Sequence, residues 1–162
     1  MEIEKRKINF TVAGEPKGKA RPRFARVYDG ISVRTPKGTK EYEQNIKVTY
    51  LEQCGNVKFP EDSQLELSVA AYFKIPKSAS KKKRIAMLSE EIRPTKKPDG
   101  DNILKAVADA LNGVCYKDDK NIVKMSIEKF YSDVPRIEVI VQEVMTDKND
   151  SSEMMRELLK YL

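Results

Sequence analysis

The sequence predicts a single domain of the α/β (α+β) class, and three observations carry that reading. Apolar residues alternate with period two in four stretches, near 7–13, 64–74, 121–131 and 136–144. They recur with helical spacing in three others, within 39–54, 101–111 and 151–162. The 162 residues amount to about one domain, long enough to bury roughly two-thirds of the unfolded surface. A composition of 40% hydrophobic and 35% charged residues without Trp describes a globular chain with a highly charged surface.

The elements follow in order. Ile8, Phe10 and Val12 share one face of an opening strand that Gly14-Glu15-Pro16 closes as a turn. Positions 17–40 are basic, interrupted by Pro and Gly, and lack a sustained apolar period, so they predict an irregular arm with a short hairpin at Asp29-Gly30. Tyr42, Ile46 and Tyr50 then define a helix over 39–54 that stops at Gly55. Leu65, Leu67, Val69, Ala71 and Phe73 form the strongest strand pattern, ended by Pro76. Positions 77–96 predict an exposed basic insert with a short helix from Ser78 or Ser80, stopped at Arg93-Pro94.

Asp101 or Asn102 can cap a helix with the stripe Ile103, Leu104, Val107, Ala108 and Leu111, ending at Asn112-Gly113. The last two strands flank Ser132–Pro135 and predict a hairpin. An acidic linker leads to a final amphipathic helix, 151–162, whose Met154, Met155, Leu158, Leu159 and Leu162 predict packing on the chain's own domain, with a second dimer contact or a replication-protein partner as the alternative. The expected division is a main domain over 1–146 and a linker with helix over 147–162.

Composition narrows the chemistry. The chain has no histidine, which excludes Ser-His-Asp and Cys-His hydrolases and histidine bases. Cys54 and Cys115 have no metal-ligand spacing. Carboxylates, Lys, Tyr, Ser/Thr and oxygen-ligated hard cations remain. No apolar run is long enough for a membrane span and the start lacks a secretory core, so the expectation is a cytoplasmic protein without membrane contact.

The net charge of +6 hides a block pattern. Residues 1–40 hold eleven Lys/Arg against four acids, and 74–97 hold nine against two. Residues 41–73 hold two against six, and 98–162 nine against thirteen. Basic blocks attract polyanions through phosphate contacts, whereas clustered carboxylates repel phosphate unless a cation neutralises them. The pattern suggests a phosphodiester substrate and a metal ion. Lys17, Lys19, Arg21, Arg23 and Arg26, with Phe24 interleaved, and Lys97 are the candidate DNA-binding residues.

The carboxylates concentrate in Lys97-Pro98-Asp99-Gly100-Asp101-Asn102-Ile103-Leu104-Lys105 and in Tyr116-Lys117-Asp118-Asp119. If the chain is extended after Pro98, Asp99 and Asp101 point the same way, about 6.6 Å apart, within reach of one cation. Lys105 lies one turn beyond Asp101, opposite the apolar stripe. Oxygen donors suit Mg²⁺ or Mn²⁺, and a nearby lysine suits phosphate charge. A second reading stays open: Asp101 as an N-cap, Asp99-Gly100 as a turn, and Lys117–Lys120 as a solvated turn. Asp109 reads as a surface or structural residue. Gly14–Ala20 falls short of a phosphate-binding Walker loop, so no nucleotide cofactor is expected. Pro98-Asp99 with Asp118-Asp119-Lys120 also mimics the PD-(D/E)xK nuclease pattern, which would transfer the lysine role to Lys120.

With these residues in view, the chain resembles the RusA family of Holliday junction resolvases, widespread in prophages. The match rests on Lys97–Lys105, on Asp109-Ala110-Leu111-Asn112-Gly113, on Tyr116–Val123 and on the arm Pro16–Phe24. The resemblance implies a small mixed β-sheet with helices packed on it and a homodimer. It implies a Mg²⁺-dependent endodeoxyribonuclease that nicks two strands of a four-way DNA junction symmetrically, in recombination and repair. Asp99, Asp101 and Asp119 take the role of metal-binding catalytic carboxylates, Asp118 a supporting or ligating one, and Lys105 that of the essential lysine. The insert over 77–96 and the C-terminal helix depart from the shortest members. The competing function is a non-catalytic DNA-binding or recombination accessory protein.

Overall fold

The computed structural model describes residues 6–144 and 148–161, apart from the side chains of 148–153. The chain runs β1 (Lys7–Ala13), β2 (Arg23–Val27), β3 (Gly30–Arg34), α1 (Lys37–Cys54), β4 (Leu65–Lys74), α2 (Lys81–Leu88) and α3 (Gly100–Leu111). A short 3₁₀ turn (Asp119–Asn121), β5 (Ile122–Ser132), β6 (Arg136–Glu143) and α4 (Lys148–Leu159) complete it. This is the α+β architecture expected, with a mixed four-stranded sheet in the order β1-β6-β4-β5.

β4 lies inside the sheet because its inward face, Leu65, Leu67, Val69, Ala71 and Phe73, is buried throughout. It pairs antiparallel with β6, Val69 opposite Val139, and parallel with β5, Val69 opposite Ile127. The expected hairpin between the last two strands is therefore corrected: β5 and β6 flank β4 on opposite sides and do not pair with each other. Alternation assigns a strand's faces but not its neighbour, and β1 takes the other edge of β6 through Phe10 opposite Val139.

Helices α1 and α3 cover the inward face. Tyr42, Ile46 and Tyr50 from α1 and Ile103, Ala106, Val107, Ala110 and Leu111 from α3 enter one core with β1, β4 and β6. A buried stripe of this width, at about 1.5–3 kcal/mol per large side chain, fixes the rotation of α3 about its axis. The polar positions of α3 are thereby aimed outward.

Three further expectations are adjusted. The arm is more regular than its sequence suggested, because β2 and β3 pair as a hairpin with Phe24 opposite Val33, turning at Tyr28-Asp29. Ser80 caps α2 by accepting the Lys83 N–H at 3.2 Å, and that helix ends at Leu88, before Arg93-Pro94. In α4, Met154, Met155, Leu158 and Leu159 are each more than half exposed rather than packed on the domain. The linker positions 145–147 lie outside the described residues. Among the described residues no helix is long and apolar enough to cross a membrane.

Candidate active site

The site begins where α3 begins. Asp99 holds the N-cap position in an extended conformation (φ −67°, ψ 148°), and its carbonyl accepts the Ile103 N–H at 3.1 Å. Its carboxylate makes no capping hydrogen bond, although aspartate at this position ordinarily does. Asp101 lies in the first helical turn. The two acids therefore do not sit on one extended stretch, as the sequence suggested, because the helix starts one residue after Asp99 rather than at Asp101 or Asn102. Both carboxylates are exposed, and no hydrogen bond or ion pair among the described residues engages either.

Close packing holds this helix start in place. A Cβ on Gly100 would stand 3.1 Å from Ile127 Cγ2, so α3 begins directly against β5. A Cβ on Gly18 would meet the Cβ atoms of Asn102 and Pro98 at 2.9 and 3.0 Å, and the Lys19 N–H donates to the Asn102 carbonyl at 2.9 Å. Only glycine lets the arm approach this closely. From β5, the Lys129 ammonium donates to the carbonyls of Lys96 (2.5 Å) and Pro98 (3.0 Å), fixing the segment that leads to Asp99. The Lys97-Pro98 peptide is cis.

The arm and the helix start enclose a cleft of about 740 Å³ lined by Lys17, Lys19, Arg21, Lys97, Asp99 and Asn102, among others. A second, basic concavity of about 590 Å³ adjoins Arg23, Arg34, Lys37 and Lys40. Arg21, Arg23 and Arg26 are exposed without a carboxylate partner among the described residues, and Phe24 beside them is 71% exposed. An exposed aromatic between unpaired arginines suits a nucleic acid strand.

Lys19 sits differently from the rest of the arm. Its ammonium reaches Glu43 at 2.5 Å and Asp109 at 2.9 Å, with only 20% of the side chain exposed. Burial lowers its proton affinity, but the hydrogen bonds and charges of the two carboxylates outweigh that and leave the pKa raised. Asp109 in turn lies 3.9 Å from Lys105, its i−4 neighbour. Asp101, Lys105 and Asp109, four residues apart, thus form a polar ladder on α3 opposite its buried stripe.

The second acidic group is brought alongside by the turn after α3. Gly113 adopts a positive φ of 79° and donates to the Tyr116 carbonyl at 2.8 Å, and the buried Tyr116 hydroxyl donates to the Ala108 carbonyl at 2.7 Å. Two residues past Asp119, Asn121 donates to the carbonyls of Glu61 and Ser63 at 2.7 and 2.9 Å. Between these anchors, Asp118 accepts the Lys120 N–H at 3.0 Å, which is the main cause of its lowered pKa. Asp119 moves the other way. Its hydrogen bond to Asp118, then burial, then the charges of Asp118 and Asp109 raise its proton affinity, and Lys105 opposes the rise.

The structure thus brings Lys105, Asp109 and Asp119 within electrostatic reach of one another and puts Asp99 in the basic cleft. Among the described residues no three acids or cysteines stand close enough together to hold a metal ion as they are placed. The acids that act on Asp119, namely Asp118 and Asp109, carry carboxylate oxygens, the type hard cations select, and the mutual repulsion at Asp119 is of the kind a cation relieves.

Sequence reasoning took Asp109 for a surface or structural residue without its partners, and did not single out Glu43 and Lys129. The i,i+4 spacing of Lys105 and Asp109 was a usable signal for the first. Nothing local marks the other two, whose partners lie 24 and 31–33 residues away.

The uncharacterized protein YqaN of Bacillus subtilis strain 168 is 38% identical over 142 residues, spanning 85% of this chain and 96% of that protein. Residues 13–142, which include every element from the end of β1 through most of β6, match the family model described as endodeoxyribonuclease RusA. With the match covering the arm, α3 and both acidic groups, the chain belongs to the RusA endodeoxyribonuclease family.

Proposed function

We propose that this nuclease is a Mg²⁺-dependent (or Mn²⁺-dependent), structure-selective endodeoxyribonuclease that resolves four-way DNA junctions by paired, symmetric nicks. The observation that carries this reading is the cleft in which the basic arm and the free carboxylate of Asp99 face one another. Family membership supplies the junction as the substrate class.

In this reading Asp99, Asp101 and Asp119 are the ligands, with the adjacent Asp118 supporting Asp119. A bound Mg²⁺ supplies Lewis acidity toward a phosphate oxygen and the attacking water. The chain's own residues do the rest. Arg21, Lys17 and Lys97 line the cleft and draw in the phosphodiester backbone. Lys105, largely exposed and tied only at 3.9 Å to Asp109, neutralises the charge that builds on the phosphate as the bond breaks. Lys120 sits with its N–H on the Asp118 carboxylate, and its charge bears on Asp118 rather than on Asp119. This favours Lys105 over the PD-(D/E)xK assignment.

Paired nicking requires two such sites related by a two-fold axis, hence a homodimer. The exposed apolar residues of α4 offer surface of the kind a second copy covers. Sedimentation that finds only monomer at micromolar concentration, with and without junction DNA, would remove paired nicking.

The decisive experiment is cleavage of a synthetic four-way junction in Mg²⁺, with linear duplex and flap controls. The wild type should cut the junction selectively, and Asp101→Asn should bind it without cutting. Retained cleavage by Asp101→Asn, or wild-type binding with no metal-dependent nicking, overturns the assignment and leaves a DNA-binding accessory protein.

A further inference from the structure

The basic insert buries only Met87 and Pro94, yet it is held firmly. Met87 is buried, Arg84 is ion-paired with Asp133 after β5, and Arg93 stacks over Phe130 with its guanidinium carbon 4.3 Å from the ring centre. Arg93 also donates to the Lys129 carbonyl at 2.8 Å. These contacts lay the insert along β5, the edge strand of the sheet, with α2 at one end and Asp99 at the other.

The lysines of α2 are the part the fold does not use. Lys81, Lys82 and Lys83 are all exposed, and no carboxylate among the described residues pairs with them or with Lys77. They occupy the first helical turn, which contains no acid, so they oppose the helix dipole and repel one another. The only acids on the insert, Glu90 and Glu91, follow the far end of the helix. A helix kept only to cover an edge would gain from acids where these lysines stand.

We propose that α2 is a second DNA-binding surface that grips the phosphates of a duplex arm leading away from the cleavage site. This rests on the junction reading above and extends its footprint. Along β5, Gly100 packs on Ile127 and Arg84 pairs with Asp133. At about 3.3 Å per strand residue that separates α2 from the start of α3 by roughly 20 Å, or about six base pairs of duplex.

The test compares wild type with the triple variant Lys81→Gln, Lys82→Gln, Lys83→Gln on two junctions, one with arms of about four base pairs closed by hairpin loops and one with arms of about twelve. On long arms the variant should bind about tenfold more weakly, and the slope of log affinity against log salt should fall by about two. On short arms the two proteins should bind alike, because no phosphate reaches α2. Equal weakening on both substrates, or none on either, overturns the proposal. Wild-type binding that depends on arm length without any cleavage supports the surface and overturns the nuclease reading, so the two failures are distinguishable.

Discussion

Asp99 and Asp101 differ from Asp109, Asp118 and Asp119 in what holds their carboxylates. The first pair is carried by backbone packing, Gly18 and Gly100 pressed against their neighbours, and its side chains have no hydrogen-bond or ion-pair partner among the described residues. The second group is held through its side chains, by Lys19, Lys105 and the Lys120 N–H. Both groups lie beside one helix, but their energetics oppose each other. Removing a carboxylate from the first should affect function without touching stability, whereas removing a group from the second should change both.

The largest effect is expected from the first group. Asp99→Asn and Asp101→Asn should each lower junction cleavage by about a thousandfold, the scale of losing a metal ligand at a hydrolytic centre. Their melting temperatures should match wild type, because neither carboxylate makes an internal contact. A drop of several degrees in either variant would show that the helix start depends on them after all. Next come the lysines. Lys105→Ala should reduce cleavage by about a hundredfold, as expected for losing a group that stabilises developing charge, while Lys120→Ala should stay within about twofold. The reverse ranking would restore the PD-(D/E)xK alternative.

Lys19→Met probes the bond between the two halves. It leaves Glu43 and Asp109 partly buried without their cation, at about 1–2 kcal/mol, or a fall of roughly 3–6 °C in Tm. Lys19→Arg should recover most of that. If Lys19 served only as a phosphate contact, Lys19→Met would weaken DNA binding and leave Tm unchanged.

The same contrast explains what was legible in the sequence. The stripe of α3 and the alternation of β4 are local patterns, so both elements and the faces they bury could be read directly. The place of β5 could not, because its apolar residues carry no mark of whether β6 or β4 lies beside them. At the site, the spacing of Asp99, Asp101 and Lys105 singled out candidates but not their conformation, which depends on Gly100 meeting Ile127 from a distant strand. Lys19 looked like any other cation of a basic arm. Its role comes from Glu43 on α1 and Asp109 on α3, which only the folded chain assembles.

The smallest expected effect is also the most specific to the second group. Asp119 has a raised pKa in the folded chain, so the fold binds its proton more tightly than the unfolded chain does. Its contribution to stability is therefore present below the ordinary carboxylate pKa and is lost as pH rises through the folded value. At pH 7 the ionised Asp119 faces Asp118 and Asp109 and opposes folding. Asp119→Asn removes the charge and supplies an amide donor toward Asp118, so at neutral pH it should raise Tm by about 1 °C, a shift kept small by solvent screening. The gain should shrink on acidification and vanish near pH 3, where wild-type Asp119 is itself neutral. If the carboxylates hold a cation, Mg²⁺ should raise the Tm of wild type and close this gap at pH 7, while Asp119→Asn responds little. A gap that persists unchanged from pH 7 to pH 3 would show that like-charge repulsion is not its source.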